Sequence, residues 1–495
     1  MPNLPRSLFT SILFFILLAL ALAPAVAQQV SLPDTEAGRK LAALLEALNS
    51  GQRDAIRDFI AAHYAQSALA QRSADERAVV YMEIFADSGG FDVRQVLDSS
   101  ERTVIVLAQN RLGGDWIRLH LDLEPQPPHG IIGLGLQMEQ PPAEDATPLT
   151  DAQLAAELRD YVIKLCQADR FSGAVLVMRG DLRLFQHTCG LASRAFQVPN
   201  RLDTKFNLGS MNKMFTAVAI AQLAQQGKLS FDDKVGKHLP DYPNAAVREK
   251  VTIHQLLTHT SGVPGYFNEK YQTSAKERFR SVNDFLALFQ DDPLDFEPGS
   301  QWRYSNGGFM LLGAIIEKVS GQSYFDYVRR NIFQPAGMTD TDAYEMDRDT
   351  PNLANGYTRQ GPGGPLPDGE RYNNLYLHVV KGGPAGGGFS TVEDLVKFAA
   401  ALRAHKLLTP EYTELVTTGK VHPDPEDTGS RYAYGFMEEC RGEDCVVGHG
   451  GGFAGINGQL DIYQDGSGCV VAVLANYDPP AAGRVAGKIR SLLQR

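Results

Sequence analysis

Ser210, in Gly209-Ser210-Met211-Asn212-Lys213, is the one serine of the chain with a lysine three positions later. Residues i and i+3 share a helix face, so a helix starting near Ser210 sets Lys213 one turn above the hydroxyl, within reach of its proton. A serine hydroxyl is a weak nucleophile until a neighbouring base activates it. The pair therefore points to serine hydrolysis without a histidine–aspartate relay. Tyr304-Ser305-Asn306 adds a phenol that can shuttle a proton if nearby cations depress its pKa, and an amide that can donate to a substrate carbonyl. His449-Gly450-Gly451-Gly452 follows Val446-Val447. Glycines on an edge strand let a substrate backbone approach, and backbone N–H groups there can hold an oxyanion, a donor whose loss costs roughly 3 kcal/mol.

Two stretches compete for these roles. Tyr372-Asn373-Asn374 repeats the tyrosine–asparagine spacing, and Lys381-Gly382-Gly383 offers a cation before two glycines. Both lie in a polar, Gly/Pro-rich region where no helix or strand is expected, so Tyr304 and His449 rank above them. His254 and His259 lack the spacing of a metalloprotease pair and read as structural; no metal or cofactor is expected. Gly382 to Gly388 lacks the lysine and the strand–loop–helix order of a phosphate loop, and no Gly-x-Ser-x-Gly elbow exists.

The elements that must position these groups follow from periodicity. Met214, Ala217, Val218 and Ala221 recur at helical spacing after Ser210, and Gly227 ends the pattern. A helix is expected over 154–165, then strands over 173–178 and 182–185. The region 210–340 reads as mostly helical. Strands return over 445–448, 458–463 and 469–474, with a closing helix over 482–493. An antiparallel sheet is thus drawn from both ends of 151–495, with a helical block inserted. Residues 34–142 read as a separate small α+β module: apolar positions at helical spacing (Leu41, Leu44, Leu45, Leu48, then Ile56, Phe59, Ile60) precede alternating runs over 103–107 and 116–121 joined at Gly113-Gly114-Asp115. Residues 143–150 read as a linker.

The 495 residues are 43% hydrophobic and 21% charged, enough to bury a sizeable core. A net charge of −11 without a Lys/Arg run gives no footprint for nucleic acid. Arg6, the apolar stretch Leu8 to Leu22 and Ala25-Val26-Ala27 form a cleavable export signal over 1–27, which places the mature chain in the periplasm or outside the cell with no membrane span. Of five cysteines, Cys440 and Cys445 bracket a short polar loop that a disulfide could close, or they remain two thiols; the odd count leaves at least one free, buried thiol.

Together the motifs resemble the penicillin-recognising serine hydrolases, which include class C β-lactamases, D-Ala-D-Ala carboxypeptidases, D-aminopeptidases and related esterases. The resemblance covers roughly 151–495. It extends to Leu256-Leu257-Thr258-His259-Thr260-Ser261-Gly262, Glu297-Pro298-Gly299 and Gly386-Gly387-Gly388-Phe389-Ser390-Thr391. It implies a β-lactamase/transpeptidase-like α+β fold, with a sheet flanked by helices, a helical lobe and the site between them. It implies Ser210 as nucleophile, Lys213 as base, Tyr304 in proton transfer and Asn306 in substrate positioning. His449 then faces the substrate, and the N–H groups of Ser210 and Gly452 form an oxyanion hole. The opening of the first module, Ala47-Leu48-Asn49-Ser50-Gly51, resembles NTF2-like or cystatin-like modules.

One residue departs from the pattern. Where class A and class C enzymes carry lysine in the third motif, this chain has His449, and a histidine of ordinary pKa is mostly neutral at neutral pH. A substrate carboxylate finds less attraction there. The expected activity is therefore hydrolysis of D-amino-acid peptides, such as cell-wall fragments, or of small esters. β-Lactamase activity is the alternative, and a non-catalytic peptidoglycan- or partner-binding protein is the alternative of another class.

Overall fold

The computed structural model describes residues 30–139, 148–361, 364–366, 370–427, 429–442 and 444–494. The expected export signal and residues 143–147 of the expected linker lie outside them. The chain forms two compact units, one reaching Arg111 and including Trp116–Glu139, the other made of Leu112–Asp115 and everything from Gln140 onward.

In the first unit, four helices, α1 (Glu36–Asn49), α2 (Arg53–His63), α3 (Gln66–Gln71) and α4 (Ala74–Ser88), precede an antiparallel meander. Its strands are β1 (Phe91–Ser99), β2 (Thr103–Asn110), β3 (Trp116–Leu123) and β4 (Ile131–Met138), paired in that order. Thr35 caps α1 by accepting from the Gly38 N–H, and Ser73 and Glu76 close a capping box at α4. Leu41, Leu44, Leu48, Ile56 and Ile60 meet Val104, Val106, Leu119 and Leu121 in the core.

The second unit opens with α5 (Asp151–Gln167), capped by Thr150 and Gln153, then β5 (Gly173–Arg179) and β6 (Leu182–Cys189). The helical insertion contains α6 (Asn212–Gln225), α7 (Asn306–Ser320) and α8 (Val392–Arg403). The chain then returns as β7 (Ser430–Tyr432), β8 (Met437–Arg441), β9 (Asp444–Phe453), β10 (Ile456–Tyr463) and β11 (Cys469–Ala475), and ends in α9 (Ala481–Leu493). The sheet order is β7-β8-β9-β10-β11-β5-β6, antiparallel throughout.

Both faces of this sheet are covered, which is why β11 reads as an unbroken apolar run. Successive side chains of a strand point to opposite faces. Val471 and Val473 join Leu158, Val162, Val485 and Ile489 of α5 and α9, while Ala472 and Leu474 join α6 and the helical lobe. Burying each such Val or Leu contributes roughly 1.5–3 kcal/mol. The α6 helix is apolar all round and buried from Asn212 to Ala224, the signature of a central helix. Cys440 and Cys445 are joined in a disulfide, and Cys469 is free and buried. A second bridge, Cys166–Cys189, ties the end of α5 to the end of β6.

Candidate active site

Ser210 lies in a single 3₁₀ turn, Gly209–Met211, that runs directly into α6. Because α6 is the central helix, Lys213 in its first turn is fully buried. Its Nζ lies 3.3 Å from Ser210 Oγ, 2.7 Å from Asn306 Oδ1 and 2.5 Å from the Ala385 carbonyl oxygen. The rings of Tyr304 and Phe309 lie 4.7 and 5.4 Å away. Loss of hydration pushes the Lys213 pKa well below its usual value. A neutral amine has two protons and one lone pair. In that form, donation to Asn306 and Ala385 would leave the lone pair for the Ser210 hydroxyl.

The second motif is held by its middle residue. Ser305 is the N-cap of α7, its hydroxyl accepting from the Gly308 N–H, so Asn306 starts the helix and Tyr304 sits just before it. The Ser305 N–H donates to Nδ1 of His259, a buried residue with φ +61 whose ring lies 4.3 Å from that of Tyr304. His259 thus positions the tyrosine. Asn306 Oδ1 is occupied by Lys213, which leaves the amide nitrogen as a donor for a ligand.

The condition set for the phenol, a nearby cation to lower its pKa, is not met. Tyr304 exposes 37% of its surface, yet burial of the phenol pushes its pKa up, and its hydrogen bond with Ser210 offsets this only in part. No cation depresses it, since its nearest amine is the desolvated Lys213. Tyr304 is a neutral hydroxyl, able to pass a proton but not to act as a phenolate.

The third motif lies on β9. Up to Gly448 this strand is flanked by β8 and β10; beyond it, pairing with β8 ends and residues 449–453 bond only to β10. The open side meets the Ser210 turn. A side chain on Gly451 would place its Cβ 1.9 Å from the Leu208 carbonyl oxygen, and one on Gly209 (φ +51) would sit 3.0 Å from the Gly452 nitrogen. Only glycine permits that approach, which brings the Ser210 and Gly452 backbones to the same cavity wall. The Gly450 carbonyl is the partner of His449 Nδ1, and the Gly451 carbonyl accepts from Asn457.

His449 was expected to face the substrate; its ring is instead turned into the protein. It is 7% exposed and absent from the described cavity wall, with Nδ1 on the Gly450 carbonyl and Nε2 3.0 Å from the Tyr432 hydroxyl. Burial lowers its pKa to about 4, opposed by the Gly450 bond. The reason is physical: a neutral imidazole with both nitrogens satisfied tolerates burial, and a cation does not.

This has a measurable consequence for stability. With the native pKa below the unfolded one, unfolded chains take up the proton first as pH falls. The contribution is complete above about pH 6.5 and is lost toward pH 4. It amounts to about 3 kcal/mol. In urea unfolding, wild type should lose about that much more stability between pH 7 and pH 4 than His449→Gln; parallel losses would show that His449 is not neutral in the fold.

The cavity in front of Ser210 has a volume of about 180 Å³. Ser210, Tyr304, Asn306 and Gly452 line it, with Lys213 buried beneath. The competing motifs fall elsewhere. Lys381 pairs with Glu345 at 3.1 Å, and Asn374 is buried, tying Gly356 to Ala454. Of the expected structural histidines, His254 bonds the Tyr434 hydroxyl. The sequence reading missed the cavity's opposite wall, where Tyr266, Phe267, Tyr271 and Phe453 converge. The one available signal was the aromatic cluster Tyr266-Phe267 and Tyr271 in an otherwise polar stretch.

Comparison with known proteins adds to this geometry. The Beta-lactamase family model matches residues 152–494. The chain is similar to a penicillin-binding protein from Bacillus halodurans of solved structure, with 35% identity, 70% of this chain and 100% of that one covered, and a TM-score of 0.59. It is similar to a D-stereospecific amidohydrolase from a Streptomyces species, with 28% identity, 69% and 96% coverage, and a TM-score of 0.55. Esterase EstB of Burkholderia gladioli is 30% identical over 332 residues, covering 61% of this chain and 84% of that protein.

Proposed function

The chain belongs to the Beta-lactamase family, and from that premise we propose that it is an exported serine hydrolase that forms an acyl-enzyme at Ser210. Its substrates in this reading are D-amino-acid-containing peptides or small esters. The observation that carries it is the fully buried Lys213 amine, 3.3 Å from Ser210 Oγ and hydrogen-bonded to Asn306 and Ala385.

The chemistry follows from that arrangement. A substrate carbonyl enters with its oxygen against the Ser210 and Gly452 N–H groups, which stabilise the charge that develops there. Oγ attacks the carbonyl carbon while Nζ takes its proton. The Tyr304 hydroxyl, hydrogen-bonded to Ser210, relays a proton to the leaving group, and the tetrahedral adduct collapses to the acyl-enzyme. Water then attacks by the same route and frees Ser210. Asn306 donates its amide to the substrate.

Relatives that hydrolyse amides of D configuration and esters support the substrate classes. Disulfides at Cys166–Cys189 and Cys440–Cys445 support export, because such bonds persist in oxidising compartments, as does the signal-like segment 1–27. Among the described residues, no helix is long and apolar enough to cross a membrane.

A substrate panel tests the reading: short-chain nitrophenyl esters, D-aminoacyl anilides, a D-Ala-D-Ala peptide and nitrocefin. A burst of about one nitrophenol per chain followed by steady turnover is expected. Inactivity toward every ester and anilide contradicts it, and rapid nitrocefin turnover would assign β-lactamase activity instead.

A further inference from the structure

Resting on the Ser210 chemistry just described, we infer that the cavity selects an uncharged substrate, an ester or amide whose acyl group carries one aromatic or branched apolar side chain, and that Phe267 and Phe453 are its specificity-determining residues. The wall facing Ser210 is aromatic. The rings of Phe267 and Phe453 stack at 5.8 Å, and Tyr271 meets Phe267 edge-on at 5.0 Å. Phe267 is 46% exposed, an apolar ring presented to solvent beside the nucleophile. An apolar cavity of about 150 Å³ admits benzene. One of about 180 Å³ therefore has room for a single ring.

Charge selects as well as shape. The described wall contains no Asp, Glu, Lys or Arg. Its one imidazole, His378, is buried with Nδ1 on the Val379 carbonyl, and burial lowers its pKa, which disfavours the charged form. Apart from the buried Lys213, two lysines beside the lining residues in sequence are committed elsewhere. Lys276 holds the carbonyls of Tyr271, Gln272 and Ser274, and Lys381 pairs with Glu345. A carboxylate or an ammonium entering this cavity loses hydration and gains no counter-charge. A free carboxylate, as on a D-Ala-D-Ala terminus, and a free α-amino group are both disfavoured. The open choice between peptides and esters moves toward neutral esters and blocked amides.

Nitrophenyl esters with one leaving group and different acyl groups test this on the native protein. Phenylacetate should exceed acetate in kcat/KM by about 10-fold or more. Butyrate should exceed the near-isosteric hemisuccinate, which adds a carboxylate, by about 100-fold. Phe267→Ala and Phe453→Ala should each lower the phenylacetate-to-acetate ratio by about 10-fold, read against phosphonate labelling of Ser210 as the measure of intact chemistry. Labelling with equal butyrate and hemisuccinate rates, or with an unchanged ratio in both variants, overturns this inference and leaves the acyl-enzyme reading standing. Absence of both labelling and turnover overturns the two together.

Discussion

Ser210→Ala is expected to lower kcat/KM for every substrate by a factor on the order of 10⁴ to 10⁶, with the fold and thermal midpoint preserved. The size follows from what is lost. Without Oγ there is no covalent intermediate, and the remaining groups act only on bound substrate and water. The oxyanion donors survive, because they are backbone N–H groups of the Ser210 turn and of Gly452, held by the contact of Gly451 with Leu208. Alanine fits the turn and leaves Lys213 its bonds to Asn306 and Ala385. Measured turnover within tenfold of wild type would place the nucleophile elsewhere.

Lys213→Met should cost nearly as much, about 10³- to 10⁴-fold in kcat/KM, because a base and its nucleophile act as a unit. The expected pH profile is specific. Burial lowers the Lys213 pKa, so the base form is reached far below the usual lysine range. In wild type, kcat/KM should rise with pH through a group titrating well below the usual lysine range, and that limb should vanish in the variant. His449 contributes no limb between pH 5 and 8, since its pKa of about 4 keeps it neutral there. A wild-type limb unchanged in Lys213→Met would assign the proton transfer to another group.

The proposed nucleophile and base, Ser210 and Lys213, were legible because their spacing is local: a separation of three along one helix needs no tertiary knowledge. The sheet was legible from its apolar runs, β11 most clearly, and its flanking helices from the family resemblance. What stayed hidden depends on distant segments meeting. His259 looked like an ordinary structural histidine, but its Nδ1 holds the Ser305 N–H and its ring backs Tyr304. His449 could be placed on a strand, but its inward turn depends on Tyr432, seventeen positions earlier. Whether the condition set for Tyr304, a nearby cation to lower its pKa, is met was hidden for the same reason, because a sequence shows a lysine but not its desolvation. Cys166 and Cys189 lie 23 positions apart, and only the packing of α5 on β6 brings them together. The aromatic wall joins the helical insertion to the end of β9, a pairing that periodicity along one segment cannot register.

The central claim is that Ser210, activated by Lys213, forms the covalent bond. Incubating the protein with a serine-directed phosphonate and locating the adduct by peptide mass spectrometry tests it most directly. The account predicts one adduct per chain, on Ser210, absent from Ser210→Ala and much slower to form in Lys213→Met. No adduct on the folded wild-type protein, or an adduct on another residue, would contradict it.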